Sequence, residues 1–291
     1  MGRDFCDVSP AAKRTFEQAN DVLGFDLASL CFAGPDERLN QTDISQPAIY
    51  TASVASFRAA VEKGLVDASL ITTYAGLSLG EYTALHLAGV FGFEEGLKLV
   101  RRRGELMQQA AVAQPSSMVA IMGADEAKIN ELCVSAGQGE ILVPANFNAP
   151  GQIVVSGSVG ACQRVLSLAE GAGLKAIALK VAGAFHSPFM QSAATAMAGE
   201  LDRITLNVPS TRVYSNVTAR PHGDVGSIKS LLVQQIVSPV RWEQTMQTLV
   251  SEGEARYVEL NPGRTLAGLA KRINRRLPVE SLDTAAQLVS K

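Results

Sequence analysis

Ser78 stands in Gly76-Leu77-Ser78-Leu79-Gly80, between an apolar run at 68–75 and a helical pattern at 81–90. A G-x-S-x-G pentapeptide between a strand and a helix reads as a nucleophile elbow. Its glycines allow a sharp turn and keep side chains off the serine oxygen, while the helix that follows aims its first N–H groups at developing negative charge. The competing reading is a glycine-rich turn that happens to hold a serine.

A serine hydroxyl needs a base, and histidine is the usual one near neutral pH. The chain has three. His86 lies eight residues up the helix from Ser78, roughly 12 Å away along the axis, too far for a hydrogen bond. His222 sits in the turn-forming stretch ARPHGD, a solvated setting. His186, in GAFHSPF, follows the last strand of an inserted unit, where the chain re-enters the main domain, and a cleft there suits a base. A hydrogen-bonded core histidine is the alternative.

The helix expected over 93–111 adds a separate clue. Phe93, Leu97, Val100, Met107 and Ala111 form one apolar stripe at 100° per residue. Arg101 and Arg102 point away from it, whereas Arg103 falls on it. A guanidinium aimed at the core needs an anion: a protein carboxylate, or a substrate carboxylate clamped by two parallel hydrogen bonds.

The elements that must hold these residues follow from pattern. A helix is expected at 45–63, opened by Ser45 with Pro47 in its first turn, and a buried strand at 68–75. Residues 116–182 alternate as strand, helix, strand, strand, helix, strand, the βαββαβ order of a ferredoxin-like unit set into a larger α/β domain. Downstream come a strand at 212–217, helices near 226–237 and 241–252, a strand at 257–260 and a helix at 265–273.

With 47% of 291 residues hydrophobic, the chain can bury a real core and is not disordered. Its 26 basic and 28 acidic residues leave a net charge of −2, which argues against a nucleic-acid partner. No apolar run approaches the ~20 residues of a bilayer span, and MGRDFCDVSP carries no export signal. A cytoplasmic protein without membrane association is expected. Cys6, Cys31, Cys133 and Cys162 lack metal-type spacing and read as free thiols, with no metal site.

Four segments together resemble the malonyl-CoA:acyl-carrier-protein transacylases of bacterial fatty-acid synthesis: Gly76 to Tyr82, Arg103 to Met107, Asn146 to Gly157 and Gly183 to His186. SNV at 215–217, Gln235 with SPVRW downstream, and the loop ELNPG extend the likeness over nearly the whole chain. The resemblance implies an α/β-hydrolase-like large domain (1–115 and 183–291) carrying a ferredoxin-like subdomain (116–182). It also implies ping-pong transfer of malonyl from malonyl-CoA to the thiol of holo acyl carrier protein, with no bound cofactor and a monomeric enzyme. Ser78 would be the nucleophile and His186 the base, held by the backbone carbonyl of Gln235. Arg103 would clamp the malonyl carboxylate, the Leu79 N–H would serve the oxyanion, and Met107 and Phe185 would wall the acyl pocket.

The chain departs from the family at two places. Leu77 stands where members usually have histidine. The family's Gly-Gln-Gly-x-Gln loop, source of a second oxyanion donor, would precede Met1, so a truncated sequence or impaired turnover is expected. Three competing classes remain: a serine esterase or thioesterase, an acyltransferase serving a polyketide synthase, and an inactive carrier-binding paralogue. Chain order argues against the first, because hydrolases place their histidine near the C-terminus and only His222 follows His186.

Overall fold

The computed structural model describes residues 1–253 and 256–288. The elements run α1 (Arg3–Val8), α2 (Pro10–Leu23), α3 (Leu27–Ala33), α4 (Asp36–Leu39), α5 (Thr42–Glu62), β1 (Thr73–Tyr74), α6 (Leu79–Leu87), α7 (Phe93–Ala113), β2 (Ser116–Met122), α8 (Glu126–Gly137), β3 (Leu142–Ala149), β4 (Gln152–Ser158), α9 (Val159–Gly171) and β5 (Lys175–Ala178). They continue as α10 (Gln191–Asp202), β6 (Arg212–Val213), α11 (Val225–Val237), α12 (Trp242–Ser251), β7 (Tyr257–Leu260), α13 (Thr265–Ile273) and β8 (Val279–Leu282). The fold is mixed α/β. Among the described residues, no helix is long and apolar enough to cross a membrane.

Two compact units share the chain. The first comprises Met1–Gly104, Thr205–Tyr214 and the described part of Glu252–Lys291. Its sheets are short and parallel: β1 pairs with β6 and β7 with β8. Helix α5 lies in its core, with Ala48, Tyr50, Val54, Ala55 and Ala59 all fully buried. The α5 hydroxyls fix the loop after β7, since Ser53 donates to the Asn261 carbonyl (2.6 Å) and Ser56 accepts from the Asn261 N–H (3.2 Å). This helix begins at Thr42, three residues before the expected Ser45, and takes Pro47 inside itself.

The expected buried strand at 68–75 is absent. Ala68–Leu70 form a 3-10 turn with Leu70 76% exposed, and only Thr73 and Tyr74 pair as strand. The segment's one ladder partner is Arg212–Val213, so pairing stops after two residues.

The second unit comprises Glu105–Ile204 and Ser215–Ser251. Its sheet has the order β3-β4-β2-β5, antiparallel throughout. Period-two alternation sorts the side chains onto two faces. Val119, Ile121, Ile153 and Val155 pack with Ile129, Leu132, Cys162 and Val165 of α8 and α9, whereas Met118, Ala145 and Val154 form a separate cluster that receives Phe185. All four cysteines are free, and burial pushes the Cys31 and Cys133 thiols up to about 12.

Candidate active site

In the first unit Ser78 is the residue that caps α6, at φ 52° and ψ −103°. A non-glycine residue holds such a left-handed conformation only where its surroundings impose it, and such positions cluster at functional sites. The N–H groups of Gly80 and Glu81 close the turn on the carbonyls of Leu77 and Ser78 (2.9 and 3.2 Å). Leu79, 7% exposed, opens the helix. Its N–H is therefore the first at the positive end of the α6 dipole.

Arg103 lies on the inward face of α7 and is 1% exposed. Its Nη1 donates to Gln46 Oε1 at 2.6 Å and its Nη2 to Ser78 Oγ at 3.0 Å. The guanidinium carbon lies 5.5 Å from the centre of the Tyr82 ring, a cation–π arrangement. Burial draws the guanidinium's pKa down, while Tyr82 and the fully buried Glu81 push it back up. It stays a cation, because an arginine does not deprotonate in a protein. Tyr82 is fully buried too, and burial holds its phenol near 12, well above the ordinary tyrosine value.

In the second unit His186 is 4% exposed and also has a positive φ of 57°. The loop that imposes this is bonded at each step. Ser116 Oγ accepts from the Ala184 N–H (3.0 Å), Ser156 Oγ donates to the Phe185 carbonyl (2.6 Å), and Ser187 Oγ donates to the Ala184 carbonyl (2.6 Å). Gly183 is required as well, since a Cβ there would sit 2.7 Å from that of Ala111.

His186 Nδ1 lies 2.8 Å from the Gln235 carbonyl oxygen. That carbonyl belongs to the last turn of α11, and its helical partner four residues on would be Pro239, which has no N–H to offer. A carbonyl only accepts, so Nδ1 carries the proton and the basic lone pair of the neutral ring is on Nε2.

The first unit thus brings together Ser78, Leu79 and Arg103. The second brings together His186 and Gln235, and also contains Phe185, half-buried on its sheet, and Met107, 3% exposed on α7. His86 is a packing residue, its Nδ1 on the Phe91 carbonyl (3.0 Å) and its ring against Tyr50 and Phe93. His222 is half-buried on an irregular segment of the second unit. Gln46 and Tyr82 were not legible as site residues. For Gln46 the signal is a polar residue one turn before Tyr50 on a helix face that is otherwise buried.

Residues 1–287 match the model of a family described as the acyl transferase domain. The malonyl CoA-acyl carrier protein transacylase of Haemophilus influenzae is 40% identical over 274 residues, 94% of this chain and 87% of that protein. Among solved structures, the malonyl CoA-acyl carrier protein transacylase of Coxiella burnetii superposes with a TM-score of 0.95 at 38% identity, covering 99% of this chain and 90% of that one. A malonyl-transacylase solved in complex with a type II polyketide acyl-carrier protein gives 0.94 at 38% identity, covering 99% and 93%.

Proposed function

Because the chain belongs to the acyl transferase domain family, we propose that it moves a malonyl group from malonyl-CoA to the phosphopantetheine thiol of holo acyl carrier protein through a malonyl ester on Ser78. The observation that carries this reading is the 3.0 Å hydrogen bond from Arg103 to Ser78 Oγ. It sets a buried cation beside the nucleophile, where an acyl group ending in a carboxylate would have its charge met.

Ser78 Oγ adds to the thioester carbonyl while His186 Nε2 takes its proton, and the Leu79 N–H, at the head of α6, stabilises the oxyanion. The C–S bond breaks and coenzyme A leaves as the thiol, receiving the proton from His186. In the second half His186 deprotonates the carrier's thiol, sulfur attacks the ester, and the C–O bond to Ser78 breaks with return of the proton. Arg103 binds the malonyl carboxylate throughout, and Met107 and Phe185 wall the acyl group. The Gln235 carbonyl replaces the triad carboxylate in fixing the ring.

The carrier protein is acidic, and Lys271, Arg272, Arg275 and Arg276 stand exposed at the end of α13 and just beyond it. In a chain of net charge −2 that local concentration of cations would steer such a partner. We assign residues 116–182 as the ferredoxin-like subdomain within an α/β-hydrolase-like domain formed by 1–115 and 183–291, a reading supported by the order β3-β4-β2-β5. The enzyme acts as a cytoplasmic monomer that needs no bound cofactor.

The test is incubation with malonyl-CoA, with and without holo carrier protein, following both malonyl-carrier and free malonate. Transfer to the carrier with little malonate release is expected. Rapid release without acceptor would make the protein a hydrolase.

A further inference from the structure

We infer that Ser156, a buried serine of β4, is a positioning residue for His186. Its hydroxyl pins the peptide plane that leads into the base and so keeps the imidazole on the Gln235 carbonyl. The kinetic consequence rests on the malonyl-transfer reading above, whereas the geometry lies within the second unit alone.

Ser156 stands where the pattern of the sheet calls for an apolar residue. It shares a face of β4 with Val154, and its ladder partners are Met118 on β2 and Val143 on β3. Met118, Ala145 and Val154 form the cluster that receives Phe185. Ser156 is fully buried there, and a hydroxyl withdrawn from water must find a partner. It donates to the Phe185 carbonyl at 2.6 Å.

That carbonyl and the His186 N–H belong to one planar peptide, so the direction of the carbonyl sets φ of His186. The value is 57°, a conformation that a non-glycine residue leaves when nothing holds it. Rotation of this one peptide is the relaxation that disturbs the loop least. Phe185 can keep its ring in the apolar cluster meanwhile, and Ser187 its bond to the Ala184 carbonyl (2.6 Å). Rotation takes the carbonyl off Ser156 and shifts the direction in which the His186 side chain leaves its Cα. The 2.8 Å contact of Nδ1 with the Gln235 carbonyl tolerates little of this, because hydrogen bonds weaken steeply once misaligned. When that bond goes, the preference for the proton on Nδ1 goes with it, and Nε2 is no longer held basic. Ser156 thus acts through the peptide and the ring, not as a catalytic residue.

The experiment records nitrogen–proton correlation spectra of the imidazole rings in the full chain at about pH 8, where neutral rings dominate. It pairs them with kcat and KM for malonyl transfer in wild type, Ser156→Ala, Ser156→Cys and Val154→Ala. Wild-type His186, assigned by the signal lost in His186→Gln, should show the Nδ1–H tautomer alone. In Ser156→Ala it should become a mixture of both tautomers, while His86, whose Nδ1 lies 3.0 Å from the Phe91 carbonyl, stays unchanged. Ser156→Cys, a weak donor of similar size, should fall between the two. The kcat of Ser156→Ala should drop about 10-fold with KM for malonyl-CoA within about twofold of wild type. Val154→Ala removes packing from the same face of β4, so it should lower the thermal midpoint and leave the tautomer intact. An unmoved His186 tautomer in folded Ser156→Ala, or in Ser156→Cys should the first not fold, overturns the inference. So does a tautomer disturbed equally by Val154→Ala, which would make Ser156 merely part of the packing. A wild type that transfers no malonyl overturns the transfer reading instead, and the spectra, which need no substrate, separate that failure from this one.

Discussion

Gly76 and Gly80 approach each other across the Ser78 turn so closely that a Cβ on Gly76 would lie 2.1 Å from the carbonyl carbon and oxygen of Gly80. No rotamer relieves a clash with backbone, so Gly76→Ala must open the elbow. We expect a loss of at least about 3 kcal/mol with no detectable acylation. Nothing lies within 4 Å of a Cβ on Gly80, so Gly80→Ala should hold the wild-type thermal midpoint or exceed it. Paired melting curves decide, and equal losses would place the constraint elsewhere.

Arg103 makes two directed hydrogen bonds at once, to Gln46 and to Ser78. Arg103→Ala should reduce malonyl transfer by about 10²-fold and transfer of an acetyl group far less, since each charge-assisted bond is worth about 1.5–3 kcal/mol. Arg103→Lys should not restore malonyl transfer, because one ammonium cannot reproduce the planar fork. Equal losses for both acyl groups in steady-state assays would return Arg103 to a structural role.

These two sites were legible because their signals are local. The elbow is five consecutive residues, and the inward turn of Arg103 follows from the 100° spacing of its neighbours on α7. The βαββαβ elements are legible for the same reason, each carrying its own period. The run at 68–75 misled because an apolar, β-branched segment looks like a buried strand whatever its partners. Here the pairing residues lie near 212 and amount to two. The start of α5 was misplaced because Pro47, which usually marks a first turn, stands inside the helix. Helix α10 was not expected at all. The pattern of α5 marks Gln46 as a polar residue on a buried face, but its partner Arg103 lies 57 positions away, and nothing within the helix identifies that partner.

Burial pulls the His86 pKa below the ordinary value of 6.5. Protons therefore bind the unfolded chain more readily than the folded one below that pH. The contribution is intact above about pH 6.5 and is lost as pH falls toward the depressed folded value. The thermal midpoint of wild type should drop between about pH 7.5 and pH 5 by more than that of His86→Gln. Parallel pH slopes in the two proteins would count against it.

The cations at Lys271, Arg272, Arg275 and Arg276 are exposed, so any docking role must be screened by salt. Replacing Lys271 and Arg275 together by Glu should raise the KM for carrier protein by about 10-fold at low ionic strength, and by much less near 0.5 M salt. Measuring the carrier KM across that range distinguishes steering from a packing defect, which would show no salt dependence.

The most direct measurement is the intact mass of the protein after brief exposure to malonyl-CoA. We predict a gain of about 86 Da located on Ser78 by peptide mapping, absent from Ser78→Ala and discharged when holo carrier protein is added. An unchanged mass under conditions where the carrier becomes malonylated, or an adduct on any other residue, would contradict the account.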